Sequence, residues 1–117
     1  MRDHRKLRAF ELADSLVKSV YRATRSFPTV EKFGLTIQLR RAAVSIPSNI
    51  VEGCARSSEA DFARFIDISQ SSARELQYQV TLAADLGYLE AESAVRLIEL
   101  CDETNRVISG LHKALKH

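Results

Sequence analysis

At 117 residues, with 45% apolar and 27% charged side chains but only 4 Gly and 2 Pro, the chain is sized for one domain and too poor in turn residues for an all-β fold. A net charge of +2 selects no partner by itself, and no apolar run approaches the roughly 18 residues that a membrane span needs. Two cysteines, Cys54 and Cys101, are too few for a disulfide framework and lack metal-ligand spacing, so they read as small core-filling thiols.

The first helix is predicted from about Lys6 to Ser26. Phe10, Ala13, Val17, Val20, Thr24 and Phe27 recur at spacings of three and four, the seam of a bundle helix. Pro28 stops it, because proline disfavours helical geometry in the residue before it. The second helix is predicted from about Val30 to Glu52, with Thr29 as N-cap and Gly53 in the left-handed position past its end. Pro47 removes one backbone hydrogen bond and clashes with the Ala43 carbonyl, so a kink and not a break is expected there. Ser45 and Ser48 are placed to satisfy the freed carbonyl.

The third helix is predicted from about Glu59 to Leu86. Ser58 and Asp61 make a capping box with Asp in place of Glu. Phe62, Phe65, Ser69, Ala73, Leu76, Val80 and Ala83 form its core face, and Gly87 ends it. The fourth is predicted from about Ala91 to Lys116, with Ala94, Leu97, Cys101, Thr104, Ile108, Leu111 and Leu115 inward. Short connections make successive helices antiparallel neighbours. The expected fold is all-α: a single up-down-up-down four-helix bundle over residues 1–117, its second helix kinked at Pro47.

The second helix is apolar on two faces. At about 100° per residue, Leu35, Leu39, Ala42, Ala43, Ile46 and Ile50 gather on one side, and Phe33, Ile37, Val44 and Val51 on the other. One bundle needs one such face. Ile68 and Leu82, with Glu75 between them at seven-residue spacing, give the third helix a weaker echo. A second stripe points to a protein–protein contact, and a homo-oligomer is expected; deeper burial of a kinked helix is the alternative. In an antiparallel hairpin, Arg40 or Arg41 comes opposite Glu75, so an ion pair is available within a subunit or between two. Glu52 and Arg56, four apart, suit a surface pair.

Residues 1–56 carry 11 Lys/Arg against 5 Asp/Glu, and residues 57–117 carry 6 against 10. The halves either attract each other inside the bundle or give it a basic face. Arg2, Arg5, Lys6 and Arg8 at the start, and Lys18, Arg22 and Arg25 at spacings of four and three, are the candidates for tracking phosphates. No base-reading element accompanies them.

Nothing assembles an active site. The histidines, His4, His112 and His117, lack carboxylates at metal-ligand spacing, and no Glu-x-x-His occurs. Ser69, Ser71 and Ser72 have no neighbouring base in sequence and suit close helix approach better than nucleophilic work. A glycine-rich phosphate loop is absent. No enzyme activity, cofactor or metal is expected. The charged start, with no apolar core after it, gives no secretory signal, so a cytoplasmic location is expected.

The stretch Phe33-Gly-Leu-Thr-Ile-Gln-Leu-Arg-Arg-Ala-Ala-Val-Ser-Ile-Pro-Ser-Asn-Ile-Val-Glu-Gly53, then Ser57-Ser-Glu-Ala-Asp-Phe-Ala-Arg-Phe65 and Ser72-Ala-Arg-Glu-Leu-Gln77, resembles the bacterial four-helix-bundle proteins encoded in 23S rRNA intervening sequences. It is more distantly similar to the accessory variability protein of diversity-generating retroelements, a ring-forming bundle that associates with a reverse transcriptase and nucleic acid. The resemblance implies a ring, a pentamer, and marks Arg40, Arg41, Asn49, Glu52, Gly53 and Glu75 as signature positions. The function expected is a non-enzymatic oligomeric bundle binding RNA or a nucleic-acid-handling partner through a basic surface. The alternative is a structural or protein-interaction module with no nucleic-acid role.

Overall fold

A computed structural model describes residues 2–115. Lys116, the expected end of the fourth helix, and His117 lie outside the described residues. Four helices carry the fold: α1 (Arg8–Thr24), α2 (Leu35–Cys54), α3 (Glu59–Asp85) and α4 (Ala91–Ala114), with no strand among the described residues. Short 3₁₀ turns at His4–Lys6 and Thr29–Glu31 precede α1 and α2.

Three helix ends follow from their local chemistry. Ser58 accepts a hydrogen bond from the Asp61 N–H at 3.1 Å and caps α3. Gly87, at φ +79°, closes the other end of α3 in a Schellman turn. There the Tyr88 N–H reaches the Ala83 carbonyl and the Gly87 N–H reaches that of Ala84, each at 3.0 Å. At the start of α1, the Glu11 N–H bonds the Leu7 carbonyl at 3.1 Å. The helix therefore begins at Arg8, two residues after the expected Lys6.

The start of α2 differs from expectation. Val30 to Gly34 are not helical with the rest, and Thr29 is not the cap. Instead Glu31 reaches forward from the 3₁₀ turn. Its Oε1 accepts from the Leu35 N–H at 3.0 Å, and its Oε2 accepts from the Tyr88 hydroxyl at 2.9 Å. One carboxylate thus satisfies a first-turn donor of α2 and ties the α1–α2 connection to the α3–α4 connection. Phe27 packs against the Tyr88 ring, centroids 5.4 Å apart, closing that end of the core.

The far end of α2 also departs from the sequence reading. Gly53 is inside the helix, and its φ is not positive. A Cβ there would lie 2.9 Å from Phe65 Cβ and 3.2 Å from Phe62 Cδ1. The glycine is required by close helix approach and not by a left-handed turn. Helix α2 runs unbroken through Pro47. Ser45 is not turned to the Ala43 carbonyl: its hydroxyl pairs with that of Ser72 at 2.8 Å. Asn49 Nδ2 donates to the Ser45 carbonyl at 2.8 Å, and Ser69 Oγ donates to the Ile46 carbonyl at 2.9 Å.

These contacts set the register. Gly53 meets Phe62, Ile46 meets Ser69 and Ser45 meets Ser72, so α2 and α3 run in opposite directions. Gln70 with Ser109, and Gln77 with Asp102 and Asn105, show the same reversal for α3 and α4. Leu16, Val20, Leu39, Ile46, Ile50, Phe62, Ile66, Leu76, Val80 and Ile108 fill a single core. The expected inward faces hold, and Leu12, Leu16 and Ile66 add to them. Both cysteines are free and buried.

Two glycines should respond oppositely to alanine. Gly53→Ala forces atoms that lie close to the α3 backbone to shift; overpacking costs about 1–3 kcal/mol, against a helix-propensity gain of about 1 kcal/mol. Gly110 is exposed in α4 with nothing near its missing Cβ, so Gly110→Ala should gain about 0.5–1 kcal/mol. Urea midpoints of the two variants should move in opposite directions.

The Leu35 N–H, and then the Tyr88 hydroxyl, hold the Glu31 carboxyl below its ordinary 4.5. A depressed carboxylate contributes stability that is full above the unfolded value and lost as pH falls through the folded one. Glu31→Gln should therefore lower the unfolding midpoint at neutral pH, and its deficit relative to wild type should shrink as pH drops below 4.5.

Candidate functional site

The outward face of α2 carries the expected stripe in part. Val44 is 39% exposed and Val51 37%, while Ile37 is half-buried. Phe33 is 83% exposed but precedes the helix, so it stands off the stripe with the Lys32 ammonium 5.5 Å from its ring centroid. Tyr21 of α1 joins the stripe from one side: Tyr21, Ile37, Arg40, Arg41, Val44 and Ser45 line one shallow cleft. A second cleft is formed by Phe10, Pro47, Ser48, Val51 and Glu52. On the other flank Ile68 is 40% exposed, four residues before the Ser72 that meets Ser45. Leu82 is half-buried further along α3.

The basic residues named from the sequence do not form one face. Lys18 pairs with Asp14 at 2.9 Å. Arg22 lines a groove between α1 and α4 with Ser93, Arg96, Leu97 and Leu100. Arg25 instead lines a cleft at the α1–α2 connection, together with Lys32 and Arg40. At the N-terminus, Arg2 pairs with Glu59 at 2.5 Å, Arg5 with Asp3 at 2.9 Å and Arg8 with Glu103 at 3.6 Å. Arg2 also stacks on Phe62, 3.9 Å from the ring centroid, and its N–H bonds the Cys54 carbonyl.

Catalytic or metal-binding chemistry finds no cluster here. Among the described residues no three of His, Cys, Asp and Glu come together to hold a metal. His4 packs edge-on against Phe10, and His112 is buried with Nε2 3.6 Å from Asp67. Burial pushes the Cys101 thiol up to about 12 and raises that of Cys54, so neither is a ready thiolate.

The sequence model of the 23S rRNA-intervening sequence proteins matches residues 5–110, nearly the whole bundle. The chain belongs to the 23S rRNA-intervening sequence protein family. A solved structure agrees with the fold: a protein of unknown function from the S23 ribosomal protein family of Bacteroides thetaiotaomicron superposes with a TM-score of 0.79. It shares 23% sequence identity over 90% of this chain and 95% of that one. No curated protein matches the sequence.

Within this family member the signature positions divide by task. Asn49 and Gly53 serve the α2–α3 contact, through the Ser45 carbonyl and the Phe62 and Phe65 side chains. Glu52 forms the expected surface pair with Arg56 at 3.0 Å. Arg40 does not turn to Glu75. Its Nε donates to Thr24 Oγ1 at 2.9 Å, and its guanidinium lies 4.5 Å from the Tyr21 ring centroid. The buried Thr24 hydroxyl and the aromatic face hold it against α1 more closely than an exposed carboxylate can. Arg41 and Glu75 are both exposed, and no ion pair among the described residues joins Glu75 to either arginine. Sequence reasoning missed Tyr21, Lys32 and Thr36 as surface-cleft residues; only the folded α1–α2 connection brings them together.

Proposed function

We propose that this chain is a non-enzymatic bundle that assembles with copies of itself, in the ring of five that the family resemblance implies, and offers its unpaired cations to RNA or to a protein that handles nucleic acid. The apolar outer face of α2 carries this reading. Val44 and Val51 remain well exposed there, with Tyr21 and Ile68 on either flank. A contiguous apolar patch along one helix favours a partner surface, and a second copy supplies the same patch. The buried thiols and the lack of a clustered ligand set among the described residues support a binding role over a catalytic one. No helix among the described residues is long and apolar enough to cross a membrane, and we place the protein in the cytoplasm.

A second reading, a protein-interaction module without a nucleic-acid role, is favoured by one observation. Lys18, Arg2, Arg5 and Arg8 are already matched by carboxylates of the same chain, which leaves less basic surface than the residue counts suggest.

Light scattering at micromolar concentration should give a mass several times 13.1 kDa, and Val44→Glu should reduce it towards the monomer. A stable wild-type monomer would sink the assembly claim; an oligomer untouched by both Val44→Glu and Ile37→Glu would move the interface elsewhere.

Binding to unrelated single-stranded RNAs should be weakly sequence-dependent and fall steeply from low to physiological salt, because phosphate contacts release counterions. Absence of binding even at low salt selects the protein-interaction reading.

A further inference from the structure

The cleft between the end of α1 and the start of α2 gathers like charges. Arg25, Lys32 and Arg40 line a space of about 340 Å³ together with the hydroxyl residues Thr24, Thr29 and Thr36, and with Phe27 and Pro28. No carboxylate is among these lining residues. None of the three cations is in an ion pair among the described residues. The nearest acid in sequence, Glu31, is directed to the Leu35 N–H and the Tyr88 hydroxyl. Three cations around one small space repel one another unless an anion sits among them.

Arg40 is held in place. Thr24 is 3% exposed and its hydroxyl donates to the Val20 carbonyl at 2.8 Å, which leaves an oxygen lone pair to accept from Arg40 Nε. Arg40 Nη2 points at the Tyr21 carbonyl at 3.5 Å, and Tyr21 also stacks with the guanidinium. A guanidinium has five donors; those not spent on α1 have no partner among the described residues. A fixed arginine fork, two more mobile-headed cations and three hydroxyl residues match a multivalent tetrahedral oxyanion better than a single carboxylate, which would leave two charges uncompensated.

We propose that this cleft is a phosphate-binding site, taking a phosphate of an RNA chain. The RNA part rests on the function proposed above; the phosphate chemistry rests on the cleft itself. A free phosphate offers the same chemistry, and the experiment separates the two sources.

The full chain is titrated with a labelled single-stranded RNA at several salt concentrations, and separately melted with and without inorganic phosphate. Wild type is compared with Arg25→Gln/Lys32→Gln, whose sites are exposed, and with Arg74→Gln/Arg106→Gln. The second pair removes the same charge from the groove between α3 and α4. The first pair should weaken RNA binding by about tenfold or more at low salt and reduce the salt slope by about 2, one for each lost phosphate contact. The control pair should retain most of the affinity. Arg40→Lys, which keeps the charge but loses the fork, should also weaken binding. Should RNA fail to bind while phosphate raises the melting temperature of wild type but not of the Arg25/Lys32 variant, the site stands with free phosphate as occupant and the RNA role falls. RNA binding that is equally reduced by both double variants, or unaffected by the first, overturns the cleft. So does a phosphate response that the Arg25/Lys32 variant retains.

Discussion

The close approach of α2 to α3 is the constraint on which the rest of this structure depends. Gly53 lets the α2 backbone come within contact of Phe62 and Phe65. The Ser69 hydroxyl then reaches the Ile46 carbonyl, and Ser45 reaches Ser72. Small residues and short hydroxyls remove the side-chain layer that ordinarily keeps helices 8–10 Å apart. Each polar contact is also directional, so α2 cannot rotate about its axis without breaking several at once. Fixing that rotation decides what α2 shows to the outside. Leu39, Ala43, Ile46 and Ile50 go to the core, and Val44 and Val51 are left on the surface.

Periodicity made most of the bundle legible, because each helix buries one face and the burial pattern repeats at helical spacing. Phe62, Ser69, Ala73, Leu76 and Val80 of α3 were readable in this way, as were Ser58 and Gly87 at its ends. The start of α2 was not. Val30 and Phe33 are apolar at helical spacing, yet they lie in the connection and are 85% and 83% exposed. What begins the helix there is Glu31, whose second oxygen is held by Tyr88, 57 residues away; no local pattern contains that partner. Gly53 was misread for a related reason. A glycine after a helix ordinarily signals a left-handed cap, and only the α3 side chains across from it reveal that space was the requirement.

Net charge was a poor guide to the surface. The first 56 residues hold a large cationic excess, but much of it is matched within the fold by Asp3, Asp14, Glu59 and Glu103. Two of those acids lie in the second, acidic half, so attraction between the halves accounts for part of the imbalance. Exposed pairs of this kind contribute little to stability, typically below about 1 kcal/mol. Their larger effect here is on the electrostatic surface: they remove the N-terminal arginines from it and leave Arg25, Lys32 and Arg40 as a local concentration of positive charge.

Arg40 links the two surfaces on which the proposed function relies. It lines the cleft with Arg25 and Lys32, and it also lines the apolar cleft of Tyr21, Ile37 and Val44. Tyr21 serves both as well, offering its ring to the guanidinium and its exposed edge to the α2 stripe. A neighbouring copy packed on the stripe would exclude water from one side of Arg40 and strengthen its attraction for an anion on the other, since charges interact more strongly where solvent is displaced. By linkage, an anion in the cleft would then favour the packed state by the same free energy. A ring would also repeat the cleft once per subunit, so a phosphate chain long enough to pass between neighbours would bind with an avidity that no single bundle supplies. Assembly and phosphate binding are in this way two uses of one α1–α2 seam, and the residue that joins them is an arginine whose direction is set by a buried threonine.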